Sequence, residues 1–131
     1  MYVSTSRLDP ATATKAVEAI VAEARCRNRA AGVSGALLFT GKNFVQVLES
    51  DDAAIDSLMV KLCADSRHEN LIITYRVPLR DRLFADWEMA YSGAAHFVRR
   101  RVVPLLDGDD PAEQRRASLA LIDIMYHFTK K

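Results

Sequence analysis

The hydrophobic periodicity of this chain changes between strand-like and helix-like stretches in an order that few folds can satisfy. A short strand pattern over residues 2–6 is followed by Asp9 and Pro10, which we predict to be the N-cap and the first residue of a helix. Apolar residues then recur at intervals of three and four, as on one buried helix face. Gly32 marks the predicted end of this helix, because glycine readily adopts the left-handed conformation found there.

Two apolar runs over residues 33–39 and 44–49 come next in the chain. The turn-forming residues 40–43 between them predict a β-hairpin. Residues 50–52 then offer caps and negative charge for a second helix, which we expect to end near Asp65.

Strand patterns over residues 71–77 and 87–91 complete the order βαββαββ. This order predicts an α+β fold of the ferredoxin-like kind, built on a mixed sheet. Because crossover connections are right-handed, both helices should cover the same face of that sheet.

The last part of the chain differs in character, and we divide the sequence into a domain of residues 1–93 and a helical C-terminal cap of residues 94–131. Two additional C-terminal helices are predicted over residues 97–106 and 111–128, with Pro104 kinking or ending the first. Each has one apolar face, which must be covered by the free face of the sheet or by a dimer partner.

The charge balance of the chain excludes several classes of protein. Its 131 residues carry 18 basic and 17 acidic side chains, which gives no overall attraction to nucleic acid or to a membrane. Cys26 and Cys63 are far apart in sequence and disfavour a disulfide scaffold. Without a signal-peptide pattern or an apolar run long enough to span a bilayer, we expect a cytoplasmic protein.

Catalytic signatures are absent from the sequence. It contains no glycine-rich phosphate loop and no nucleophile motif of the common kinds. His68, His96 and His127 stand in three separate segments, which disfavours a metal site.

Gln46 is the polar residue that ordinary core packing does not explain. Alternation along its strand places Phe44, Gln46 and Leu48 on one face and Val45 and Val47 on the other. An unpaired buried amide costs on the order of 1 to 3 kcal/mol. Gln46 should therefore meet either a backbone or water contact at a sheet edge, or a polar ligand held under the helices.

Further side chains are placed to converge on this amide. Tyr2 lies on the first strand, which in a ferredoxin-like sheet is central and next to the third, so its hydroxyl can reach Gln46. Trp87 and Met89 share a face of the last predicted strand, and Asn28 lies at the end of the first helix. A structural explanation stays open for each of these residues. Tyr2, Trp87 and Met89 are alternatively core residues, and Asn28 is alternatively a left-handed residue at the helix C-terminus.

Four segments in order carry a family resemblance. They are Gly32-Val33-Ser34-Gly35-Ala36-Leu37-Leu38-Phe39, Phe44-Val45-Gln46-Val47-Leu48-Glu49, Asp65-Ser66-Arg67-His68 and Phe84-Ala85-Asp86-Trp87-Glu88-Met89. Together they resemble the BLUF family, the blue-light sensors that use flavin. The resemblance covers about residues 2–91 and implies the same βαββαββ fold.

The resemblance implies a flavin bound noncovalently between the two helices, with FAD as the expected cofactor and FMN or riboflavin as alternatives. The cofactor-binding positions that it implies are Tyr2, Ile20, Asn28, Gln46, Arg67 and His68. The photoactive positions that it implies are Tyr2, Gln46, Trp87 and Met89. In the family, light leaves the glutamine rotated or tautomerised, with a stronger hydrogen bond to the flavin.

The resemblance implies that this chain is a switch and not an enzyme, with a signal that passes to an unidentified protein effector or across a homo-oligomer. The sequence departs from the family pattern in three places. Arg27 stands where asparagine or histidine is common, and Ser50 stands where glycine is frequent. Tyr2 is preceded only by Met1, whereas the first strand of the family usually begins earlier.

The alternative function is a ferredoxin-like nucleic-acid-binding module. Residues 32–35 match a Gly-x-x-Gly loop, and residues 99–101 form a basic run. However, the loop leads from helix to strand, and the sheet lacks an evident set of stacking aromatic residues, so nucleic-acid binding is disfavoured. A small ferredoxin-like hydrolase is a third reading, for which the chain offers no catalytic arrangement.

Overall fold

The computed structural model describes residues 1–86, 90–94, 98–106 and 110–129, with the backbone alone at 90–94 and at 129. In chain order the elements are β1 (Tyr2–Ser6), α1 (Ala13–Ala31), β2 (Ser34–Phe39), β3 (Asn43–Glu49), α2 (Asp52–Cys63), β4 (His68–Ile73), β5 (Ala90–Ala94), α3 (Arg99–Leu106) and α4 (Pro111–Thr129).

The strands form one five-stranded sheet in the order β4-β1-β3-β2-β5. The pairs β1–β3, β1–β4 and β2–β3 are antiparallel, and β2 and β5 are parallel. The predicted ferredoxin-like α+β fold with a mixed sheet is thus confirmed. Its order places β1 and β3 side by side at the centre, which brings residues distant in sequence into register.

Helices α1 and α2 cover the same face of the sheet, as predicted. Val17 of α1 packs in one cluster with Leu37 and Phe44 of the sheet. Leu58 of α2 packs in a neighbouring cluster with Tyr2. The apolar stripe that the helical periodicity indicates is therefore the stripe that meets the sheet.

Helices α3 and α4 cover the opposite face. Val45 and Val47 of β3 belong to a core cluster with Val102 of α3 and with Leu121 and Met125 of α4. Since side chains alternate along a strand, these valines point away from α1 and α2. Of the two covers predicted for the C-terminal helices, the free face of the sheet is the one found.

The start of α1 differs from the prediction. Asp9 Oδ1 accepts the Ala11 N–H at 3.0 Å, and the Asp9 carbonyl accepts the Thr12 N–H at 3.0 Å. These bonds close a separate turn around Pro10, so the helix begins at Ala13. The prediction that Asp9 caps the helix and Pro10 is its first residue is wrong.

Strand β4 begins earlier than its β-branched residues suggest. It spans His68–Ile73 and not residues 71–77, because His68 and Glu69 pair with Ser6 and Thr5 of β1. Glutamate disfavours strands by propensity, so here the pairing partner decides the boundary. Beyond the strand, the N–H groups of residues 74 and 75 both donate to the carbonyl of Met1.

Strand β5 spans Ala90–Ala94, which overlaps the predicted strand at residues 90 and 91 and extends beyond its predicted end. Trp87 and Met89 lie outside the described residues. Helix α3 begins at Arg99 and contains Pro104, so of the two effects predicted for this proline it does not end the helix. Helix α4 begins at Pro111, as predicted.

Candidate functional site

Tyr2 and Gln46 face each other across the centre of the sheet. They are direct partners in the antiparallel pairing of β1 with β3. The Tyr2 hydroxyl donates a hydrogen bond to Gln46 Oε1, and each side chain is only 4% exposed. The predicted proximity of the two residues is confirmed. A central strand, and not a sheet edge, positions the amide.

Burial keeps the Tyr2 hydroxyl protonated. Desolvation raises the pKa of this phenol, and the positive charge of Arg27 opposes that effect. Asp65 and Cys63 add smaller contributions that raise the pKa. Tyr2 is therefore a hydrogen-bond donor to Gln46 throughout the physiological pH range.

A narrow cleft between α1 and α2 opens beside this pair. Its volume is about 30 Å³, and its lining residues are Tyr2, Ile20, Ala24, Arg27, Leu37, Phe44, Gln46, Leu62, Asp65, Arg67 and His68. The structure thus brings five of the six residues expected to bind a cofactor to one place. The sixth, Asn28, is not among the described residues that line the cleft.

Asn28 is fully buried within the last turns of α1. Its carbonyl accepts the Val33 N–H at 2.9 Å, which ties the helix end to the start of β2. The left-handed C-terminal conformation considered for Asn28 is instead taken by Gly32, whose φ is +69°. A C-terminal left-handed role for Asn28 is therefore wrong.

His68 joins three elements around the cleft. Its Nε2 lies 2.6 Å from the carbonyl of Leu62 in α2, and its Nδ1 lies 2.7 Å from the hydroxyl of Ser4 in β1. A carbonyl only accepts, so Nε2 donates to it. Both ring nitrogens are therefore bonded to the protein, and His68 shapes the cleft through α2.

Arg67 is held by two carboxylates. Its Nε donates to Asp65 Oδ1 at 3.0 Å, and a terminal nitrogen donates to Asp65 Oδ2 at 2.7 Å. The other terminal nitrogen donates to Glu23 of α1 at 3.0 Å. The side-chain hydrogen bond from Arg67 lowers the pKa of Asp65, so this carboxylate is charged at neutral pH. The ion pairs link the end of α2 to α1 across the mouth of the cleft.

Arg27 also lines the cleft, and its Nε is buried without a hydrogen-bond partner in the part of the chain that the structure describes. In the sequence, Arg27 is a departure from a family pattern. Its position one turn after Glu23 and Ala24 on α1 is the signal that places it on the cleft side of the helix.

The buried carboxylate of Glu49, which the sequence pattern did not single out, anchors the segment before β5. It accepts the N–H groups of Leu83 and Phe84 at 2.7 and 2.9 Å, and the Ser34 hydroxyl at 3.1 Å. Arg82 donates to the carbonyl of Glu49 at 3.1 Å. The chain leading to Trp87 and Met89, which themselves lie outside the described residues, is thus tied to the end of β3.

A second, wider groove of about 720 Å³ lies at the end of the sheet, between α2, α4 and the segment after β4. Tyr2 and Gln46 line it as well, together with apolar residues such as Ile55, Met59 and Leu119. The narrow cleft differs in position, because Ile20, Ala24 and Arg27 of α1 line it, whereas no described residue of α1 lines the groove.

The cleft residues fit the chemistry of a flavin ring, which is apolar on its faces and polar along one edge. Ile20 and Leu37 supply apolar contact, while Gln46 and Arg27 supply hydrogen-bonding groups. Ligand sites usually measure about 300–1,000 Å³. The 720 Å³ groove falls in this range and the 30 Å³ cleft does not, so the match of the cleft to a flavin rests on its lining residues.

Residues of the glycine motif and the basic run, which suggested nucleic-acid binding, have structural roles. Gly32 ends α1, Gly35 allows close approach of the Val47 carbonyl, and Arg99 donates to the Thr40 carbonyl at 3.2 Å. Among the described residues, no three His, Cys, Asp or Glu side chains form a candidate metal site. No helix within the described ranges is long and apolar enough to cross a membrane.

Sequence comparison identifies a family that matches most of the chain. Residues 1–90 match the profile described as BLUF: Sensors of blue-light using FAD. Over 66 residues the chain is 42% identical to photoactivated adenylate cyclase subunit beta of Euglena gracilis. This stretch is 50% of the chain but 8% of that relative, so the chain spans a small part of the cyclase subunit.

Solved structures share the architecture. The dark-state structure of BlrB, a BLUF protein, matches with a TM-score of 0.67 at 29% identity and covers 92% of each chain. The ground-state structure of BlsA matches with a TM-score of 0.77 at 19% identity, over 95% of this chain and 84% of that chain. The second similarity shows the shared fold.

Proposed function

Since the chain belongs to the BLUF family of blue-light sensors that use FAD, we propose that the cleft between α1 and α2 holds the flavin and that Tyr2 and Gln46 are the photoactive pair. One observation carries this assignment. The Tyr2 hydroxyl donates to Gln46 Oε1, and both side chains line the cleft together with Ile20, Arg67 and His68, which do not line the wider groove. A buried amide can pair with a tyrosine hydroxyl in few orientations. These orientations differ in which of the two groups donates the hydrogen bond.

Each cleft residue has a distinct task in this proposal. Ile20 packs on the ring, Gln46 engages its polar edge, and Asn28 supports the same edge from α1. Arg67 and His68 act on the flavin indirectly, by holding α2 and the loop after it against α1 and β1. The bound flavin supplies the absorption of blue light.

The switch itself follows from the donor inventory of glutamine. With Oε1 facing Tyr2, the amide accepts a hydrogen bond from the phenol, and its N–H groups donate to groups other than the phenol oxygen. Rotation of the amide would turn N–H groups toward Tyr2, and the phenol oxygen would then have to accept. A change of amide orientation or tautomer therefore reverses the polarity of a buried hydrogen bond. Trp87 and Met89 are proposed neighbours that respond to this reversal.

The signal is proposed to leave through the C-terminal helices. Residues 1–93 form the sensor in this proposal. Residues 94–131 form a cap that responds to changes in the sheet through the core shared by β3, α3 and α4. BLUF domains are sensor modules, and we propose that this chain catalyses no reaction and acts on a separate protein effector in the cytoplasm. Formation of a homo-oligomer stays a prediction, which light scattering in darkness and under blue light would test.

Absorption spectroscopy tests the function. Purified protein should take up FAD, show a red-shifted flavin spectrum after blue illumination, and recover in darkness. Gln46→Leu should still bind FAD but lose the red shift, because leucine has no donor or acceptor. Protein that takes up no flavin would overturn the proposed function, and an unchanged photocycle in Gln46→Leu would overturn the role of Gln46.

A pair of filling variants tests the location of the flavin. Ile20→Trp fills the cleft, whereas Met59→Trp fills the wider groove. The cleft assignment predicts weaker FAD binding in Ile20→Trp and wild-type binding in Met59→Trp, measured by quenching of flavin fluorescence. The opposite pattern would place the flavin in the groove.

A further inference from the structure

Glu49 at the end of β3 holds the segment before β5 by three hydrogen bonds. One carboxylate oxygen accepts the Phe84 N–H at 2.9 Å and the Ser34 hydroxyl at 3.1 Å, and the other oxygen accepts the Leu83 N–H at 2.7 Å. The Glu49 side chain is only 6% exposed, so these donors take the place of water around the carboxylate. Two consecutive backbone N–H groups are thus bonded to one side chain of β3.

The Phe84 side chain packs against the C-terminal helices. It is fully buried and belongs to the core cluster that contains Val102 of α3 and Leu121 of α4. Its ring centroid lies 6.4 Å from that of Tyr126 in α4, in an edge-to-face arrangement at 74°. The backbone of Phe84 is therefore bonded to β3 while its ring contacts α4.

Glu49 and Gln46 lie three residues apart on β3 and on opposite faces of the sheet, because side chains alternate along a strand. A displacement of β3 at Gln46 would therefore also move the carboxylate on the other face. Hydrogen bonds weaken steeply when their angles change, whereas apolar packing is non-directional. The bonds of Glu49 should thus respond more strongly to a small displacement than the packing of Val45 and Val47 on the same face.

Arg82 attaches the same segment to the end of α1. Its guanidinium donates to the carbonyl of Gly32 at 2.9 Å and to the carbonyl of Glu49 at 3.1 Å. Helix α1 ends at Gly32, and its side chains line the cleft. The segment before β5 is therefore bonded to two elements that carry cleft residues, β3 and α1.

We propose that Glu49 is a positioning residue that couples a rearrangement of Gln46 to α4. The coupling passes through the hydrogen bond of Glu49 to the backbone of Phe84, and then through the Phe84 ring to Tyr126. This inference rests on the proposed function and names the residues that connect its photoactive pair to the C-terminal helices.

Hydrogen exchange of FAD-loaded protein, compared in darkness and under continuous blue light, tests this coupling. In wild-type protein the N–H groups of residues 83 and 84, and those of α4 around Tyr126, should exchange at rates that differ between darkness and light by about fivefold or more, the low end of typical coupling between sites.

Glu49→Gln should lose the difference at α4, because a glutamine amide has one acceptor oxygen and its NH₂ group cannot accept a backbone N–H. The red shift should persist in this variant, since Glu49 does not line the cleft. Glu69→Gln makes the same substitution at an exposed position of β4 and should behave like wild-type protein in both measurements.

A purely structural role of Glu49 gives a different result. Glu49→Gln would then exchange faster in darkness and in light alike, and the difference between the two at α4 would remain. That outcome overturns the inference and assigns the coupling to direct packing of Val45 and Val47 on α3 and α4.

Further outcomes separate this inference from the proposed function. Wild-type protein that takes up no FAD, or shows no red shift, refutes both. A red shift without a light-dependent difference at residues 83 and 84 overturns the inference alone. If Glu49→Gln does not fold, Phe84→Leu decides, because it keeps the backbone bonds to Glu49 but lacks the ring. This variant should keep the difference at residues 83 and 84 and lose it at α4, and an unchanged difference at α4 overturns the inference.

Discussion

Tyr2 and Gln46 form a hydrogen-bonded pair inside an apolar core, and each depends on the other. Both are nearly inaccessible to water, so a partner lost on one side leaves a buried polar group on the other. Around them, His68 and Arg67 bond to groups of the protein, and Arg27 Nε is buried without a hydrogen-bond partner among the described residues. Single residues therefore divide into those that build the cleft and those that are available to a ligand.

At this scale the raised pKa of Tyr2 makes stability depend on pH. Burial raises the pKa of Tyr2 above its ordinary value of 10.0, so the unfolded chain loses this proton at lower pH than the folded protein. The stabilising contribution is complete below pH 10.0 and is lost as the pH rises from there toward the folded pKa. Urea titrations at increasing alkaline pH should show a steeper loss of unfolding free energy in wild-type protein than in Tyr2→Phe. Equal slopes would contradict the burial of this phenol.

Two glycines determine how α1 ends and how closely β2 approaches β3. Gly32 ends α1 in the left-handed conformation at φ +69°, and a Cβ there would meet no atom within 4 Å. Gly35 lies within β2, and a Cβ there would come within 2.1 Å of the Val47 carbonyl oxygen. The first glycine is required by its backbone conformation and the second by the closeness of β3.

These two glycines give a matched prediction for the stability of the elements. Gly32→Ala should cost about 1–2 kcal/mol, because only the left-handed conformation is disfavoured. Gly35→Ala should cost about 3 kcal/mol or more, because β2 and β3 must part to admit the methyl group. Chemical denaturation of the two variants measures the difference. Equal destabilisation would show that β2 and β3 approach less closely than described.

On the scale of the whole molecule, one sheet separates two cores. The face under α1 and α2 carries the cleft, and the face under α3 and α4 carries the larger apolar cluster. Strand β3 contributes to both, since Gln46 faces the cleft while Val45 and Val47 face the C-terminal helices. Gln46 thus lies on a strand whose other face packs against α3 and α4.

Flavin binding should stabilise the whole fold but protect its two faces unequally. A ligand that binds only the folded state at 100 times its dissociation constant adds about 2.7 kcal/mol to the free energy of unfolding. FAD should therefore raise Tm, and hydrogen exchange should slow more in α1 and α2 than in α3 and α4. Ile20→Trp serves as the control, since its Tm should respond less to FAD. Equal protection of all four helices would contradict a site confined to the cleft.

Much of this arrangement is predictable from local patterns. The hairpin around residues 40–43, the left-handed Gly32 and the start of α4 at Pro111 each depend on a few neighbouring residues, and all three agree with the structure. The proximity of Tyr2 and Gln46 follows from the element order, because a ferredoxin-like order makes β1 and β3 neighbours. The roles of Ile20, Asn28, Arg67 and His68 toward a flavin stay predictions.

Local residue patterns by themselves determined the fold class, because hydrophobic periodicity and turn residues act over a few positions and limit how strands and helices can be ordered. Only the tertiary structure decided where β4 begins, since that depends on pairing with β1. The tertiary structure also decided which charged side chains of the cleft form ion pairs. Arg67 meets Glu23 from 44 residues away, and Arg27 lines the cleft with its Nε buried and without a hydrogen-bond partner among the described residues. Such partners depend on contacts between distant segments, which no local pattern encodes.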